Sequence, residues 1–264
     1  MPTDNTEKIQ ERRAALFLFC HQDDEFAVYH QILLERSFGH RVICFYVTSG
    51  VSYGGNPDRR NSESLAVLQK LGVTREDIYF VGQQLSIPDG HLLDHLPKAL
   101  SWLKTFLVEH KEIANLYIPA WEGGHPDHDA LHFLSVKICS DLGTLNGVLQ
   151  FPLYNAANCF WKFFRVLSPL TENGPVLKDS ISWVNRIRFA RHSLHYPSQW
   201  KSWLGLFPLY LLHLLMNGKQ YLQGVNPERI SQKPHAGKLY YERRNFATWR
   251  QMQSCTNNLL DLQP

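Results

Sequence analysis

Two apolar runs near the amino terminus constrain the fold more than any other feature of the chain. Residues 14–20 and 41–48 are dominated by apolar side chains, and the segment 25–37 between them has the length and periodicity of a helix. Runs of this kind, without polar alternation, are typical of strands that are covered on both faces, as in a parallel sheet. We therefore expect a strand–helix–strand unit at the start of an α/β fold.

The same alternation continues over the first 155 residues. A helix is expected at 58–71, where Gly72 ends it, and further strands are expected at 78–81, 116–120 and 148–153. This order predicts a Rossmann-like, mostly parallel sheet with helices on both faces and right-handed crossovers. We expect one domain over residues 1–264, with a core at 1–155 and a basic C-terminal extension, 156–264, packed on it.

The polar stretch 21–25, His-Gln-Asp-Asp-Glu, directly follows the first expected strand. Open α/β sheets bind their ligands at the carboxyl ends of strands. From such a turn, the imidazole of His21 and the carboxylate of Asp24 can converge on one metal ion. The side chain of Asp23, which lies between them in the sequence, must point in another direction, so it could act as a base that holds a metal-bound water. A second interpretation stays open, in which Asp23 and Asp24 only stabilise the start of a helix.

A second polar stretch repeats this arrangement further along the chain. Residues 125–128, His-Pro-Asp-His, follow the apolar run 116–120, with Gly123 and Gly124 in the turn between them. Two histidines and a carboxylate at the carboxyl ends of two strands would give zinc its three protein ligands and leave an open position for water. The pair of stretches therefore favours a catalytic metal site over simple helix capping.

Together, the two stretches resemble the P-H-P-D-D-E and H-P-D-H signatures of the LmbE-like, or PIG-L, zinc-dependent de-N-acetylases. They occur in the family's order and about a hundred residues apart, and the resemblance covers roughly the first 155 residues. Gln22 stands where the family usually has proline. The resemblance implies one Zn²⁺ per chain, held by His21, Asp24 and His128.

The resemblance also implies a reaction, the metal-assisted hydrolysis of an acetamide. Asp23 would accept a proton from the metal-bound water, which then attacks the acetyl carbonyl. His125, oriented by Asp127, would stabilise the oxyanion together with zinc, and His125 or Asp23 would protonate the departing amine. The implied substrate is an N-acetylated amino sugar of the N-acetylglucosamine type, in glycan, exopolysaccharide or glycolipid biosynthesis.

Three further residues match positions that the family uses at its substrate. They are Arg60 and Glu63, early in the expected helix 58–71, and Asp89 in the turn Ile-Pro-Asp-Gly. For Arg60 the alternative is a solvated helix charge, and for Asp89 it is an ordinary turn residue. The segment 196–199, Tyr-Pro-Ser-Gln, weakly resembles an element of some LmbE-like proteins, but the sequence assigns no site residue to the extension.

Charge is distributed unevenly along the chain. Residues 1–160 contain 13 Lys and Arg against 19 Asp and Glu, whereas residues 161–250 contain 14 against 4. A basic region favours an anionic partner. We therefore expect the amino sugar to carry phosphate, pyrophosphate or a nucleotide, and a lipid-linked glycan precursor fits both this charge and the apolar stretch 203–216; no nucleic-acid partner is expected.

The segment 203–216 is nearly continuously apolar. It is too short to span a bilayer, and Pro208 should interrupt a helix in its middle. Two interpretations stay open: a helix packed on the protein's own core, or a segment in a membrane interface with basic neighbours that face anionic headgroups.

The cellular compartment follows from two absences in the sequence. The polar leader 1–13 lacks the apolar region of a signal peptide, and the five cysteines, which form no C-x-x-C pair, favour a reducing compartment. We therefore expect a cytoplasmic protein, with peripheral membrane contact if 203–216 is interfacial.

Two other functions stay open. One is a sugar-binding protein that has kept the fold and lost turnover, with Gln22 as the deviating residue. The other is a metal-dependent phosphoesterase, because His/Asp clusters at strand ends also serve phosphoryl chemistry. Phosphoesterases usually use two metal ions, and the sequence offers a clear ligand set for one.

Overall fold

A computed structural model describes residues 13–261. Residues 1–12 of the leader, on which the expectation of no signal peptide rests, lie outside the described residues. The strands, in chain order, are β1 (Ala14–Phe19), β2 (Arg41–Tyr46), β3 (Ile78–Tyr79), β4 (Ile113–Pro119), β5 (Val148–Phe151), β6 (Tyr154–Asn155), β7 (Arg165–Val166), β8 (Val176–Ser180) and β9 (Lys219–Gly224). The α-helices are α1 (Tyr29–Ser37), α2 (Asp58–Lys70), α3 (Val81–Gln84), α4 (Leu96–Glu109), α5 (Pro126–Asp141), α6 (Trp183–His192), α7 (Trp200–Leu212), α8 (Tyr240–Arg243) and α9 (Trp249–Asp261).

A seven-stranded sheet lies at the centre, in the order β3-β2-β1-β4-β5-β9-β8. The strands from β3 to β5 are parallel, whereas β9 and β8, which come from the extension, add antiparallel at one edge. A separate pair, β6 and β7, lies beside it. The predicted fold class, a mostly parallel α/β sheet flanked by helices, is confirmed.

Strand β1 is buried on both faces of the sheet. Phe17 and Phe19 pack on the face that α1, α2, α6 and α7 cover, whereas Leu16 and Leu18 pack on the face that α4, α5 and α9 cover. Because successive strand side chains point to opposite faces, a strand in this position has to be apolar at every residue. Helices of the extension thus contribute to both cores.

Helix α7 runs through Pro208, so the expectation that this proline would interrupt a helix is wrong. Proline in a helix interior costs about 3 kcal/mol, since it lacks an N–H for the carbonyl of Leu204. Both residues lie on the exposed face of α7, where water can bond to that carbonyl. On the other face Trp203, Leu206 and Tyr210 are buried in the core, and each contributes roughly 1.5–3 kcal/mol, which outweighs that cost. No helix within residues 13–261 is both long and apolar enough to cross a membrane.

Substituting Gly82 by alanine should lower the free energy of unfolding by about 3 kcal/mol, measured by chemical denaturation. Gly82 lies in α3, and a Cβ on it would come within 2.0–2.4 Å of backbone atoms of Thr48. Those atoms cannot move without shifting the chain at the end of β2. Gly205→Ala in α7 is the control, because a Cβ there meets no described atom within 4 Å. Alanine should stabilise α7 at that position by about 1 kcal/mol, and equal losses in both variants would contradict the prediction.

Candidate active site

A cleft of about 700 Å³ opens at the carboxyl ends of β1 and β4. Six of the predicted site residues line it, and they are His21, Asp23, Asp24, Arg60, Asp89 and His125. Asp127 and His128 are fully buried and contact these residues from within α5. The cleft lies where the polar stretches were expected to meet, because parallel strands end at the same edge of a sheet.

Local structure explains how the two stretches deliver their side chains. After β1 the chain forms a tight turn in which the N–H of Asp24 donates to the carbonyl of His21, and a 3-10 helix, Asp24–Ala27, follows. At the second stretch His125 caps α5, and Pro126 occupies its first turn, where a missing N–H costs no hydrogen bond. The side chains therefore project from two helix starts that face each other across the strand ends.

Asp24 lies between the two histidines that were predicted to share a metal with it. Its Oδ1 accepts from His128 Nε2 at 3.2 Å, and its Oδ2 lies 3.7 Å from His21 Nδ1. The backbone N–H groups of Cys20 and His21 also donate to Oδ2, at 3.0 and 2.8 Å. Burial by itself would raise the pKa of Asp24, but the charge of His128 and the hydrogen bonds with both histidines hold it well below its usual range.

His21 also contacts a second pair of carboxylates. Its Nε2 donates to Asp127 Oδ2 at 3.0 Å and lies 3.2 Å from Asp89 Oδ1. Burial lowers the pKa of His21, but the charge of Asp89 and the hydrogen bond with Asp127 outweigh burial and raise it well above its usual value. Asp127 additionally accepts from the backbone N–H groups of Gly90 and Leu92, at 2.7 and 2.9 Å.

That Asp127 orients His125 stays a prediction. The hydrogen bond between the two residues is made by the backbone of Asp127 and not by its carboxylate. The carboxylate of Asp127 lies 3.8 Å from His125 Nδ1 and makes its hydrogen bonds with His21 and the backbone. It is the backbone N–H of Asp127 that donates to His125 Nδ1, at 3.3 Å. Burial and the charge of His21 lower the pKa of His125 to about 4, so its ring is neutral near pH 7.

The donor set fits a divalent cation. The ligand atoms of one group, His21, Asp89, His125 and Asp127, lie within 4.8 Å of one another, and so do those of a second group, Cys20, Asp24 and His128. Carboxylates and imidazoles are ligands that zinc takes readily, and burying several carboxylates together is costly unless a cation neutralises them. Within the described part of the chain, the buried Nδ1 of His128 has no hydrogen-bond partner. The assignment of His21, Asp24 and His128 as the ligands stays a prediction.

Asp23 adopts an unusual backbone conformation, with φ at 131°. Such values favour glycine, and an aspartate that adopts one is strained, a condition that clusters at functional sites. Its Oδ2 accepts from the indole N–H of Trp203 at 3.1 Å, and its Oδ1 lies 3.5 Å from Arg60 Nη2. Burial raises the pKa of Asp23 to about 8, although the positive charge of Arg60 opposes the rise.

Arg60 is buried and lines the cleft, so the alternative of a solvated helix charge is wrong. Its guanidinium donates to the carbonyl of Gln22 at 3.0 Å and also to the carbonyl of Gly50. It lies 3.3 Å from the carboxylate of Asp89 and 3.5 Å from that of Asp23. These contacts join both loops and both carboxylates, so Arg60 fixes the cleft geometry.

Glu63 does not join the other predicted site residues at the cleft. One turn along α2 from Arg60, its carboxylate accepts from the backbone N–H of Ser198 at 3.1 Å and from the hydroxyl of Ser198. These bonds hold the Glu63 carboxylate against the extension. Its predicted substrate role therefore receives no support from its position.

The extension supplies residues that contact the first polar stretch, 21–25, and that the sequence did not assign. Trp203 bonds to Asp23, and the Tyr196 ring stacks on Trp203 with centroids 5.9 Å apart and planes 5° apart. The hydroxyl of Tyr196 donates to Glu25 Oε1 at 2.8 Å. The weak signal at 196–199 was the one feature that pointed to this segment, since a tryptophan in an apolar helix is otherwise indistinguishable from a core residue.

Comparison with known proteins gives a family match over part of the chain. Residues 16–139 match the model of the GlcNAc-PI de-N-acetylase (PIG-L) family, a range that contains both polar stretches. No curated relative matches the chain at a significant level.

Several solved structures share the fold. The A40926 pseudoaglycone deacetylase Dbv21 has a TM-score of 0.57 and 16% identity, covering 82% of this chain and 98% of that one. The zinc-inhibited form of teicoplanin deacetylase Orf2 has a TM-score of 0.60 and 15% identity, covering 80% and 97%. The N,N'-diacetylchitobiose deacetylase from Pyrococcus horikoshii has a TM-score of 0.50 and 15% identity, covering 81% and 83%. Through residues 16–139, this chain is similar to the PIG-L, or LmbE-like, family.

Proposed function

We propose that the protein is a metal-dependent hydrolase that removes the acetyl group from an N-acetylated amino sugar. The observation that carries this proposal is the contact of Asp24 with both His21 and His128 on the floor of a cleft that Asp23 also lines. The family match over residues 16–139 supports it, as do the similar folds of proteins whose names describe deacetylases.

His21, Asp24 and His128 would hold one divalent cation, for which we propose zinc. When bound, such an ion lowers the pKa of a coordinated water and polarises a carbonyl oxygen. Asp23, whose raised pKa the charge of a bound cation would lower again, would as a carboxylate take the proton of the attacking water. Arg60 and Trp203 hold that carboxylate from two sides, so it enters the reaction already oriented.

His125 is suited to stabilise the oxyanion that forms on the acetyl group. Because its Nδ1 accepts from the N–H of Asp127 and its ring is neutral, its proton resides on Nε2. That Nε2–H can donate to the oxyanion, and losing one such donor costs roughly 2.7–4 kcal/mol of barrier at comparable sites. The protonated Asp23 then returns its proton to the departing amine.

The upper cleft suits a sugar that carries a phosphate-type group. Aromatic side chains of Tyr154, Phe164 and Tyr240 line it, together with the basic side chains of Lys201 and Arg244. Sugar rings stack on aromatic faces through their C–H groups, and phosphates favour Lys and Arg. We therefore propose an N-acetylglucosamine-type unit linked to phosphate, pyrophosphate, a nucleotide or a lipid-pyrophosphate, with Asp89 as a contact for sugar hydroxyls.

The deviation at Gln22 does not disturb the site. Its side-chain amide donates to Asn61 Oδ1 at 2.7 Å and to the carbonyl of Ser49 at 3.2 Å. Gly50 makes room for it, since a Cβ there would lie 1.7 Å from Gln22 Oε1. The amide nitrogen of the glutamine is thus satisfied by its own surroundings, which favours an active enzyme over a sugar-binding protein without turnover.

Acetate release from a panel of N-acetylated sugars tests the proposed function. The panel includes free, nucleotide-linked and lipid-pyrophosphate-linked sugars, with metal-loaded protein and a chelator-treated control. We expect chelator-sensitive acetate release from at least one class. Metal binding without release would favour the sugar-binding alternative, and phosphate release without acetate would favour a phosphoesterase.

Replacing Trp203 by phenylalanine should reduce kcat roughly ten- to a hundredfold and leave metal content unchanged. The ring still fills the core, but the hydrogen bond to the Asp23 carboxylate is lost, and hydrogen bonds to charged groups contribute about 1.5–3 kcal/mol. Steady-state kinetics and elemental analysis measure both quantities. Trp200→Phe, at the exposed start of α7, is the matched control and should retain full kcat; equal effects would refute a specific role for Trp203.

A further inference from the structure

Exposed apolar side chains flank the mouth of the cleft on two elements. One is the loop 158–163, where Phe160 and Trp161 are 77% and 73% exposed and the ring of Phe163 contacts both. The other is the outer face of α7, where Leu204 is 72% exposed. We call these residues, together with the basic side chains between them, the rim surface. Soluble proteins rarely expose large aromatic side chains in clusters without a partner.

The rim surface adjoins the candidate active site directly. Phe164, the residue after the loop, lines the cleft, and so do Gly205 and Leu206 of α7. The loop is held in place by Arg243, which donates to the carbonyls of Trp161 and Cys159, both at 2.9 Å. A partner seated on the rim surface would therefore lie at the entrance of the cleft.

The exposed charged side chains of the rim surface are all basic. They are Lys162, Arg165, Lys201 and Arg244. The sequence from 180 to 227 contains no Asp or Glu. In 161–250 the acidic residues are Glu172, Asp179, Glu228 and Glu242, and the carboxylate of Glu242 is engaged by Lys233 and by the N–H of Leu239.

Exposed tryptophan and phenylalanine beside lysine and arginine match the chemistry of an anionic bilayer surface. Aromatic rings favour the headgroup level, and basic side chains are attracted to anionic lipids. A second copy of the chain is a poorer occupant, because self-association would bring these basic residues against one another. We propose that the rim surface docks on an anionic membrane, which brings the mouth of the cleft to the bilayer surface. This inference rests on the proposed deacetylase function.

Vesicle sedimentation tests the docking. The full-length, metal-loaded protein is mixed with vesicles of phosphatidylcholine alone or of phosphatidylcholine with phosphatidylserine. We expect binding to the anionic vesicles, weaker binding to the neutral ones, and loss of binding at high salt, since each basic residue near the surface contributes roughly a fivefold gain in affinity. Failure of the protein to bind anionic vesicles at low salt would overturn the inference.

Variants locate the contact. Trp161→Glu and Leu204→Glu should each lower partitioning to anionic vesicles about tenfold or more, because each removes a large apolar contact and adds a negative charge. Phe38→Glu is the matched control, since Phe38 is 67% exposed and lies between α1 and the amino end of β2, at the opposite end of the sheet. It should bind like the parent protein; loss of binding in all three variants alike would contradict the assignment.

Two further readouts separate this inference from the proposed function. Acetate release from a water-soluble sugar should be unchanged in Trp161→Glu and Leu204→Glu, so an inactive but vesicle-binding protein would refute the function and not the docking. Light scattering after gel filtration measures the mass of the protein without lipid. A dimer that Leu204→Glu dissociates would assign the surface to a second copy and overturn the membrane inference.

Discussion

Substitution of Asp23 by asparagine is expected to lower kcat on the order of a thousandfold and to leave the bound metal in place. Asparagine can still accept the hydrogen bond from Trp203 and tolerates a positive φ better than most residues, so the site should keep its shape. It cannot accept a proton, and a positioned general base contributes about 10²–10⁴-fold to rate. The measurements are acetate release and metal content per chain.

Asp58→Asn provides the matched control, because Asp58 is exposed at the first position of α2. It carries the same change of charge and should retain full activity. If Asp23→Asn lost its metal along with its activity, Asp23 would belong to the ligands and the division of roles between Asp23 and Asp24 would be refuted.

His128→Ala has the opposite signature: we expect it to lose both the metal and turnover. His128 is fully buried on α5, and its Nε2 bonds to Asp24 at 3.2 Å, so its removal takes away one of three proposed ligands and leaves the Asp24 carboxylate without that partner. Metal content should fall from about one ion per chain to near none, and activity at least a thousandfold.

His132→Ala controls for the cavity that such a substitution creates. His132 lies one turn further along α5 and is also buried, but its Nδ1 donates to the carbonyl of Pro119, away from the cluster. Both variants should lose stability by roughly 2–5 kcal/mol, as large-to-small core substitutions do, but His132→Ala should retain its metal. Metal loss in both would attribute the effect to general disruption of α5.

The sequence predicted the sheet and the meeting of the two polar stretches because both depend on local pattern. A strand that is covered on both faces, such as β1, must be apolar at every position, and it therefore stands out in the sequence. Once parallel strands are placed, their carboxyl ends coincide, which brings His21 and His128 together across more than a hundred residues.

Other features depended on contacts between segments that no local pattern specifies. Glu63 has the spacing of a site residue, but it bonds to Ser198 from the extension. Pro208 has the sequence character of a helix breaker, but burial of the opposite face of α7 outweighs its cost. The sequence left Arg60 open between a solvated charge and a site residue, and hydrogen bonds to two loops bury it at the cleft.

The sequence by itself determined the α/β sheet, the sheet edge at which the candidate site lies, and the residue types that converge there. These features depend on strand periodicity and side-chain chemistry, which can be read directly from the sequence. Only the tertiary structure decided which atoms orient these residues. Trp203 reaches Asp23, and Tyr196 reaches Glu25, because the extension folds back over the first polar stretch. Such contacts join residues more than 170 positions apart, and packing, which depends on all segments at once, selects them.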